Sequence, residues 1–398
     1  MASLMAAIQA GCNAVYFGVE QLNMRARSSI NFTTDDLSEI ALITKKHGIK
    51  AYLTLNTILY DHDMNLMRSI IDHAKKSGID AVIASDIAAI SYASKIGLPV
   101  HISTQSNVTN IQTVEFYSQF ADVMVLAREL TLGQVSKIAK EILRRKVTGP
   151  SGNLVQLEVF VHGALCMAVS GKCYLSLHSH FASANRGACI QNCRRSYIVT
   201  DKDEGIEFEI DNEYIMSAKD LCTIEFLDQI VDAGVSVLKI EGRGRSEDYV
   251  YTTTQCYREA LDAITANTFT IEKKKLWLER LETVFNRGFW DGYYLGRKMG
   301  EWSDAYGSKA TTRKVYVGKG MKFFSRLAVA EFVMEAGTLE PGDRIMVSGP
   351  TTGVVYDDVK EIRTNDTTVI KAVKGDLISI PFGTKIRPSD KLYKIIPA

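Results

Sequence analysis

The 398-residue chain carries 47 Lys and Arg against 46 Asp and Glu, a net charge of +1. So balanced a chain has no whole-molecule field to draw it onto nucleic acid or a membrane surface, and it contains no apolar run of about 18 residues that would span a bilayer. The length suits about two or three domains, and nothing at the start resembles a secretory signal, so a reducing cytoplasm is the expected compartment.

From the first residue to about residue 263, short apolar runs alternate with helical patterns. The runs are NAVYFGV (13–19), KAYLTLNTI (50–58), DAVIAS (80–85), PVHISTQ (99–105), DVMVLARE (122–129), VQLEVFVHG (155–163) and VSVLKIEG (235–242). Between most of them apolar residues recur at i, i+3, i+4, as in Leu37, Ile40, Ala41 and Ile43 after the start signal Thr33-Thr34-Asp35-Asp36. Gly48, Gly78, Gly97 and Gly234 each stop a helix just ahead of a strand. Seven strands alternating with helices predict an α/β fold with a parallel sheet. The chain opens on a helix, MASLMAAIQAGCNA, so a closed (β/α)8 barrel lacks only the strand that would precede it. The expectation is a TIM-like barrel over residues 1–263 without its first strand, its N-terminus truncated or mis-started. A doubly wound open sheet is the alternative, against which no G-x-G-x-x-G follows any of the strands.

Alternation along the strands selects a candidate site. Tyr52, Thr54 and Asn56 share one face, as do His101, Ser103 and Gln105; Glu158, Phe160 and His162; and Lys239, Glu241 and Arg243. Polar residues gather at the carboxyl ends of these strands, where barrel enzymes place their chemistry. Asn56, Gln105, Arg128, Lys239 and Glu241 are therefore candidate substrate-binding residues. Arg128, Arg186 and Arg243 could grip carboxylates or phosphates, because a planar guanidinium holds two oxygens at once. His162, four residues before Cys166, is a candidate proton donor or cluster neighbour, with Glu158 deeper on the same face as its orienter. Glu158 could equally be consumed in a buried ion pair with Lys239 or Arg243.

Directly after the sixth run, the stretch from Val159 to Tyr197 holds four of the seven cysteines: Cys166, Cys173, Cys189 and Cys193. Disulfides suit neither the compartment nor a chain of this length. Zinc sites usually pair cysteines at C-x₂₋₄-C, which only the last pair approaches in C-x₆-C-x₁₅-C-x₃-C. An iron–sulfur cluster takes four thiolates from wider positions, and the small residues Gly163, Ala164, Ser170, Gly171 and Ala188 would let backbone N–H groups reach its sulfurs. Four buried free thiols are the bland alternative. Spacing alone leaves these readings open. Lys172, Arg186, Arg194 and Arg195 stand beside the cysteines with His162, His178 and His180, a patch suited to phosphate or an organic acid or simply to solvent.

Residues 197–216 read as a hairpin turning at Asp203-Glu204-Gly205, so 164–216 is an insertion carrying the cysteines over the barrel mouth. Helices are expected at 219–233, 247–265 and 272–285, with 264–310 a helical connector. From 311 to 398 short strands separated by Gly337, Pro341-Gly342-Asp343, Gly349-Pro350, Asn365-Asp366 and Gly375-Asp376 predict a small closed β-barrel for stability or docking.

EVFVHGALCMAVSGKCYLS, NRGACIQNCRRSY, SAKDLC, LKIEGRGRSEDYV and VFNRGF resemble the sequence blocks of the collagenase-like peptidase family U32, across nearly the whole chain. The C-terminal segment resembles the translation-factor-like β-barrel of one branch, whose members look like tRNA hydroxylation proteins that install 5-hydroxyuridine at the wobble position. The resemblance implies a 4Fe–4S cluster on the four cysteines, oxygen-independent hydroxylation, tRNA as partner and prephenate as co-substrate. It also implies an initial strand with a Leu-Ala-Pro-Ala-Gly-like run, which is not in this sequence. A peptidase would need a nucleophile with its base or a metal-activated water, and neither H-E-x-x-H nor G-x-S-x-G is present. A redox cluster would use all four cysteines. A non-enzymatic RNA-binding protein with a structural cluster is the third class.

Overall fold

The computed structural model describes residues 1–27, 31–195, 197–205, 207–209, 216–296, 301–304, 307–365 and 367–398. Helix α1 (Ala2–Gln9) leads into β1 (Ala14–Phe17), and the alternation continues through α2 (Asp36–Lys46), β2 (Lys50–Leu55), α3 (Met64–Ser77), β3 (Ala81–Ala84), α4 (Ile87–Ile96), β4 (Val100–Ile102), α5 (Ile111–Tyr117), β5 (Val123–Val125), α6 (Leu132–Arg145) and β6 (Gln156–Ala164). The start signal of α2 works as the sequence suggests, with Asp36 accepting from the Thr33 N–H at 2.7 Å and hydroxyl at 2.9 Å. Gly78 (φ +83°) and Gly97 (φ +75°) close α3 and α4 in the left-handed conformation that glycine adopts without strain.

Strands β1 to β6 pair in sequence order, all parallel. After α7 (Leu175–His180) and the short hairpin β7 (Ile198–Thr200) and β8 (Glu207–Glu209) come β9 (Asp220–Cys222), α8 (Leu227–Asp232), β10 (Val237–Ile240), α9 (Glu247–Thr265), α10 (Ile271–Glu282) and β11 (Phe289–Trp290). Strand β10 is the seventh parallel strand and pairs with the first part of β6. The hairpin turn lies at the expected place: Asp201 accepts from the N–H groups of Asp203 and Glu204. The rest of the expected hairpin, at 206 and 210–215, falls outside the described residues.

Three expectations need correction. The stretch 219–233 is not one helix: β9 comes first and runs antiparallel to the last part of β6, Ala164 opposite Asp220. The stretch 264–310 is not only a helical connector, because β11 extends the sheet beside β9. The barrel does not close as a ladder: among the described residues no strand pairing joins β10 to β1. That gap is spanned instead by a side chain, the Tyr16 hydroxyl donating to the Ile240 carbonyl at 3.1 Å.

The remainder is antiparallel: β12 (Thr312–Phe324), β13 (Val329–Met334), β14 (Thr338–Leu339), β15 (Arg344–Gly349), β16 (Gly353–Asp358), β17 (Ile362–Thr364), β18 (Thr367–Val369), β19 (Ala372–Val373), β20 (Leu377–Pro381) and β21 (Lys391–Pro397). Eight of these form one sheet in the order β16-β15-β21-β12-β13-β20-β17-β18, and β14 pairs with β19. A closed small barrel was expected, but no ladder joins β16 to β18 among the described residues. Phe332, Phe382, Ile345, Ile362, Ile378 and Leu392 fill its separate core. This region packs on α1 and α9 through Ala6, Val250, Tyr251, Met346, Val354 and Tyr356. Gln9 at the end of α1 fastens the contact, donating to Thr352 O at 2.6 Å and accepting from Val354 N at 2.9 Å. Gln9→Ala would leave both backbone groups unpaired in a half-buried seam, and a loss of about 1–3 kcal/mol is expected in urea unfolding. A midpoint unchanged from the parent would show that the seam does not depend on Gln9.

Candidate active site at the carboxyl ends of the parallel strands

The side chains that alternation aims inward meet in one cavity, lined by Tyr16, Thr54, Asn56, Ser103, Gln105, Arg128, Phe160, Lys239, Glu241 and Arg243 among others. Its free space, about 40 Å³, holds roughly three waters or one carboxylate. At the base, Lys239 Nζ donates to Glu158 Oε1 at 2.6 Å, with both side chains nearly sealed from solvent, and lies 4.3 Å from the centre of the Tyr16 ring. The alternative in which Glu158 is taken up in an ion pair with Lys239 is what the structure contains. Above it, Glu241 accepts from the Tyr16 hydroxyl at 3.3 Å and from the Arg243 N–H at 3.2 Å. Burial disfavours ionisation of Glu241, but Arg25, Arg243 and Arg128 outweigh it and hold the carboxyl below its ordinary range.

Two arginines reach the cavity with bonding capacity left over. Arg243 Nη1 donates to Thr54 Oγ1 at 3.0 Å and Asn23 Oδ1 at 3.2 Å. Arg128 lies 4.4 Å from the Phe160 ring centre and donates from Nη1 to Ala164 O at 3.3 Å. The Nε atoms of both, and Gln105 Oε1, are buried without a hydrogen-bond partner in the protein. Deeper on the same face, Tyr52 packs on His101 with ring centres 4.4 Å apart, and burial pushes His101 down to about 4, so it stays neutral at ordinary pH.

The cysteine-rich stretch meets this cavity at Gln105. Gly171 sits so near Gln105 that a Cβ there would lie 2.6 Å from Oε1, and Asn107 Nδ2 donates to Ser170 O at 3.3 Å. Further along, Asn185 O accepts from Ile58 N at 3.1 Å and Gly187 O from Arg27 N at 3.3 Å, tying the stretch to the segments after β2 and β1. Arg194 clasps its neck: Nη2 donates to Leu165 O at 2.6 Å, and Nη1 to Ser217 Oγ at 2.8 Å and Ala218 O at 2.5 Å. One guanidinium thus holds together the two ends of the insertion.

All seven cysteines are free. Burial raises the Cys193 thiol; Arg194 opposes the rise, and the neighbouring Cys166, Cys189 and Cys173 add to it. Among the described residues no three His, Cys, Asp or Glu side chains converge on the position of a single metal ion. The other three cysteines are unlike them: burial lifts Cys222 and Cys256 to about 12 and Cys12 to about 11.

Two expected site residues lie elsewhere. His162 does not share the cavity face with Glu158 and Phe160. The register shifts between β6 and β10, Lys239 pairing with Phe160 but Ile240 with His162, so Val161 is an extra residue and His162 turns outward. There it is buried among Tyr249, Tyr257 and Phe289, and burial pushes it down to about 3. Arg186 is also outside the cavity: it pairs with Asp63, bonds Ile58 O at 2.9 Å and stacks 4.2 Å over Tyr60. Asn56, Gln105, Arg128, Lys239, Glu241 and Arg243 are brought together as expected. Tyr16 and Asn23 escape the sequence reading, Tyr16 despite a usable signal, a polar tip on an otherwise apolar strand; Arg194, expected in a basic patch, is engaged in holding the insertion.

Residues 1–304 match the sequence profile of Peptidase family U32. The chain belongs to that family. It is 60% identical over 392 residues to a collagenase of Porphyromonas gingivalis, covering 98% of this chain and 95% of that one. It is 28% identical over 401 residues to tRNA hydroxylation protein P1 of Bacillus subtilis, covering 98% and 92%. It is 33% identical over 307 residues to the 23S rRNA 5-hydroxycytidine C2501 synthase of Escherichia coli, covering 74% of this chain and 44% of that one. Relatives of the U32 chain thus carry names from both peptide and RNA chemistry.

The buried Lys239–Glu158 pair makes a stability prediction. Lys239→Met strands the Glu158 charge and should cost about 3–5 kcal/mol in urea unfolding, whereas adding Glu158→Leu should restore much of it. A double variant no more stable than Lys239→Met would mean that the two residues are not a coupled pair.

Proposed function

We propose that this U32 chain is a cluster-dependent, oxygen-independent RNA hydroxylase acting on tRNA to form 5-hydroxyuridine at the wobble position. The observation that carries the reading is a loop bearing four free thiols that packs Gly171 against Gln105, a residue of the cavity whose wall also holds Arg128, Lys239, Arg243 and Glu241. A 4Fe–4S cluster is the group that the family resemblance implies, and four free cysteines on one clasped loop supply the number of thiolates it takes. Cys166, Cys173, Cys189 and Cys193 would hold it, and when bound it supplies electron transfers that side chains cannot.

The chain's own residues do the rest. Arg128 and Arg243, each with a free buried Nε, receive a carboxylate of a small acid co-substrate, prephenate being the one that the family resemblance suggests. Glu241 stays ionised and fixes the Tyr16 hydroxyl and the Arg243 backbone. Lys239 and Glu158 neutralise each other beneath. We read the inward-facing strands as a (β/α)8-type barrel in architecture, because the seven parallel strands are in barrel order and Tyr16 spans the remaining gap.

A collagenolytic peptidase is the second reading, favoured by the 60% identity to a protein of that name. Among the described residues a nucleophile-and-base pairing is offered by Ser179 with His180 Nδ1 at 2.8 Å, on exposed α7. The Ser179 hydroxyl donates instead to Leu175 O at 2.7 Å, which leaves its proton engaged with the backbone. Nucleoside mass spectrometry of tRNA from cells with and without this gene separates the two readings. Loss of 5-hydroxyuridine on deletion, restored by the parent gene, is expected. Arg243→Lys keeps the charge but loses the fork, and should lower the modification about 10- to 100-fold with iron content unchanged. Unchanged tRNA nucleosides, together with cleavage of denatured collagen by the purified protein, would favour the peptidase.

A further inference from the structure

The insertion has an outer face that the cavity and the thiols do not explain. Helix α7 turns Ser176 inward, where its hydroxyl accepts from Ile190 N at 3.1 Å, while Leu177, His178, Ser179 and His180 face solvent. At its two ends stand aromatic rings, Tyr174 at 76% and Phe181 at 94% exposure. They are separated by about 10 Å along the helix axis. Phe181 is the more telling. It ends α7 at φ +53°, the left-handed region that glycine fills without strain and bulky residues avoid. The fold gains nothing there from a phenyl ring, which touches almost no protein.

Charge in this stretch is one-sided. Between Glu158 and Asp201 the sequence contains no Asp or Glu, but has Lys172, Arg186, Arg194 and Arg195. Arg186 and Arg194 are used internally, which leaves Lys172, two residues before Tyr174, and Arg195 exposed at the surface of the same insertion. Exposed aromatic faces on a segment that carries cations and no carboxylate are what unpaired nucleotides require: each base has a face to stack, and each phosphate a charge to meet.

We propose that the outer face of α7, with Tyr174 and Phe181 as stacking platforms and Lys172 and Arg195 as phosphate contacts, is the surface on which this protein grips the unpaired bases of an RNA loop. The inference rests on the RNA reading given above and adds to it where the RNA sits: against the insertion that carries the cysteines, so that a base drawn from the loop lies beside the cavity mouth.

The test is fluorescence anisotropy with anaerobically purified full-length protein. The probes are a fluorescein-labelled RNA hairpin with a seven-nucleotide loop, a blunt duplex of equal length and a labelled denatured-collagen peptide. The hairpin should bind more tightly than the duplex. Tyr174→Ala and Phe181→Gly should each weaken hairpin binding by about tenfold, and duplex binding little. Phe181→Gly also removes the left-handed strain, so its melting temperature should equal or exceed the parent's, which separates a lost contact from a damaged fold. Parent-like hairpin affinity in both variants overturns the surface while leaving the RNA reading intact. Absence of RNA binding by the parent overturns both. Peptide binding that the two variants abolish, with hairpin binding unaffected, makes the face a peptide dock and overturns the proposal.

Discussion

Strand β6 performs two tasks, and the extra residue at Val161 separates them. Before it, β6 pairs with β10, sends Phe160 into the cavity and sets Glu158 against Lys239. After it, β6 pairs with antiparallel β9 and delivers the chain to Cys166. The Val161 carbonyl is held by three donors, Tyr257 Oη at 2.8 Å, Thr223 Oγ1 at 3.0 Å and Thr223 N at 3.2 Å. A bulge redirects a strand and changes which face its next side chain takes. Here it lets a single strand both wall the cavity and launch the loop that covers it. His162 is the residue turned by that irregularity, and its burial against Tyr257 belongs to the hinge rather than to the cavity.

The electrostatics follow from this geometry. Lys239 and Glu158 cancel at the base, so the remaining balance is set by Arg128 and Arg243 against Glu241. Low polarisability around these groups makes each unpaired N–H costly to bury, which is why the two free Nε atoms point to an anionic ligand and not to a packing role. The insertion adds cations of its own, but assigns Arg194 and Arg186 to holding the loop down. Clasp and cavity therefore meet: the loop that presents the cysteines is the same loop that packs Gly171 against Gln105.

Much of this was legible in the sequence because parallel strands with alternating inward faces obey simple parity. Thr54 with Asn56, Ser103 with Gln105, and Lys239 with Glu241 and Arg243 all meet where alternation predicts. Parity fails at His162, since an inserted residue leaves no mark in VFVHG that distinguishes it from a regular strand. Arg186 was misread because its partner, Asp63, is distant in sequence and sits after β2. Strand β9 was hidden for another reason: three residues, Asp220–Cys222, are too few to show a period, and their pairing is antiparallel within an otherwise parallel sheet. Closure of either sheet could not be read from strand count, because a ladder depends on which edges meet rather than on how many strands precede them.

Whether the four cysteines of the loop beside the cavity hold a multi-iron cluster, as proposed, is tested directly by an assay of iron, acid-labile sulfide and zinc on protein isolated without exposure to air. About four irons and four sulfides per chain are expected. Stoichiometric zinc with no iron or sulfide would contradict the proposal.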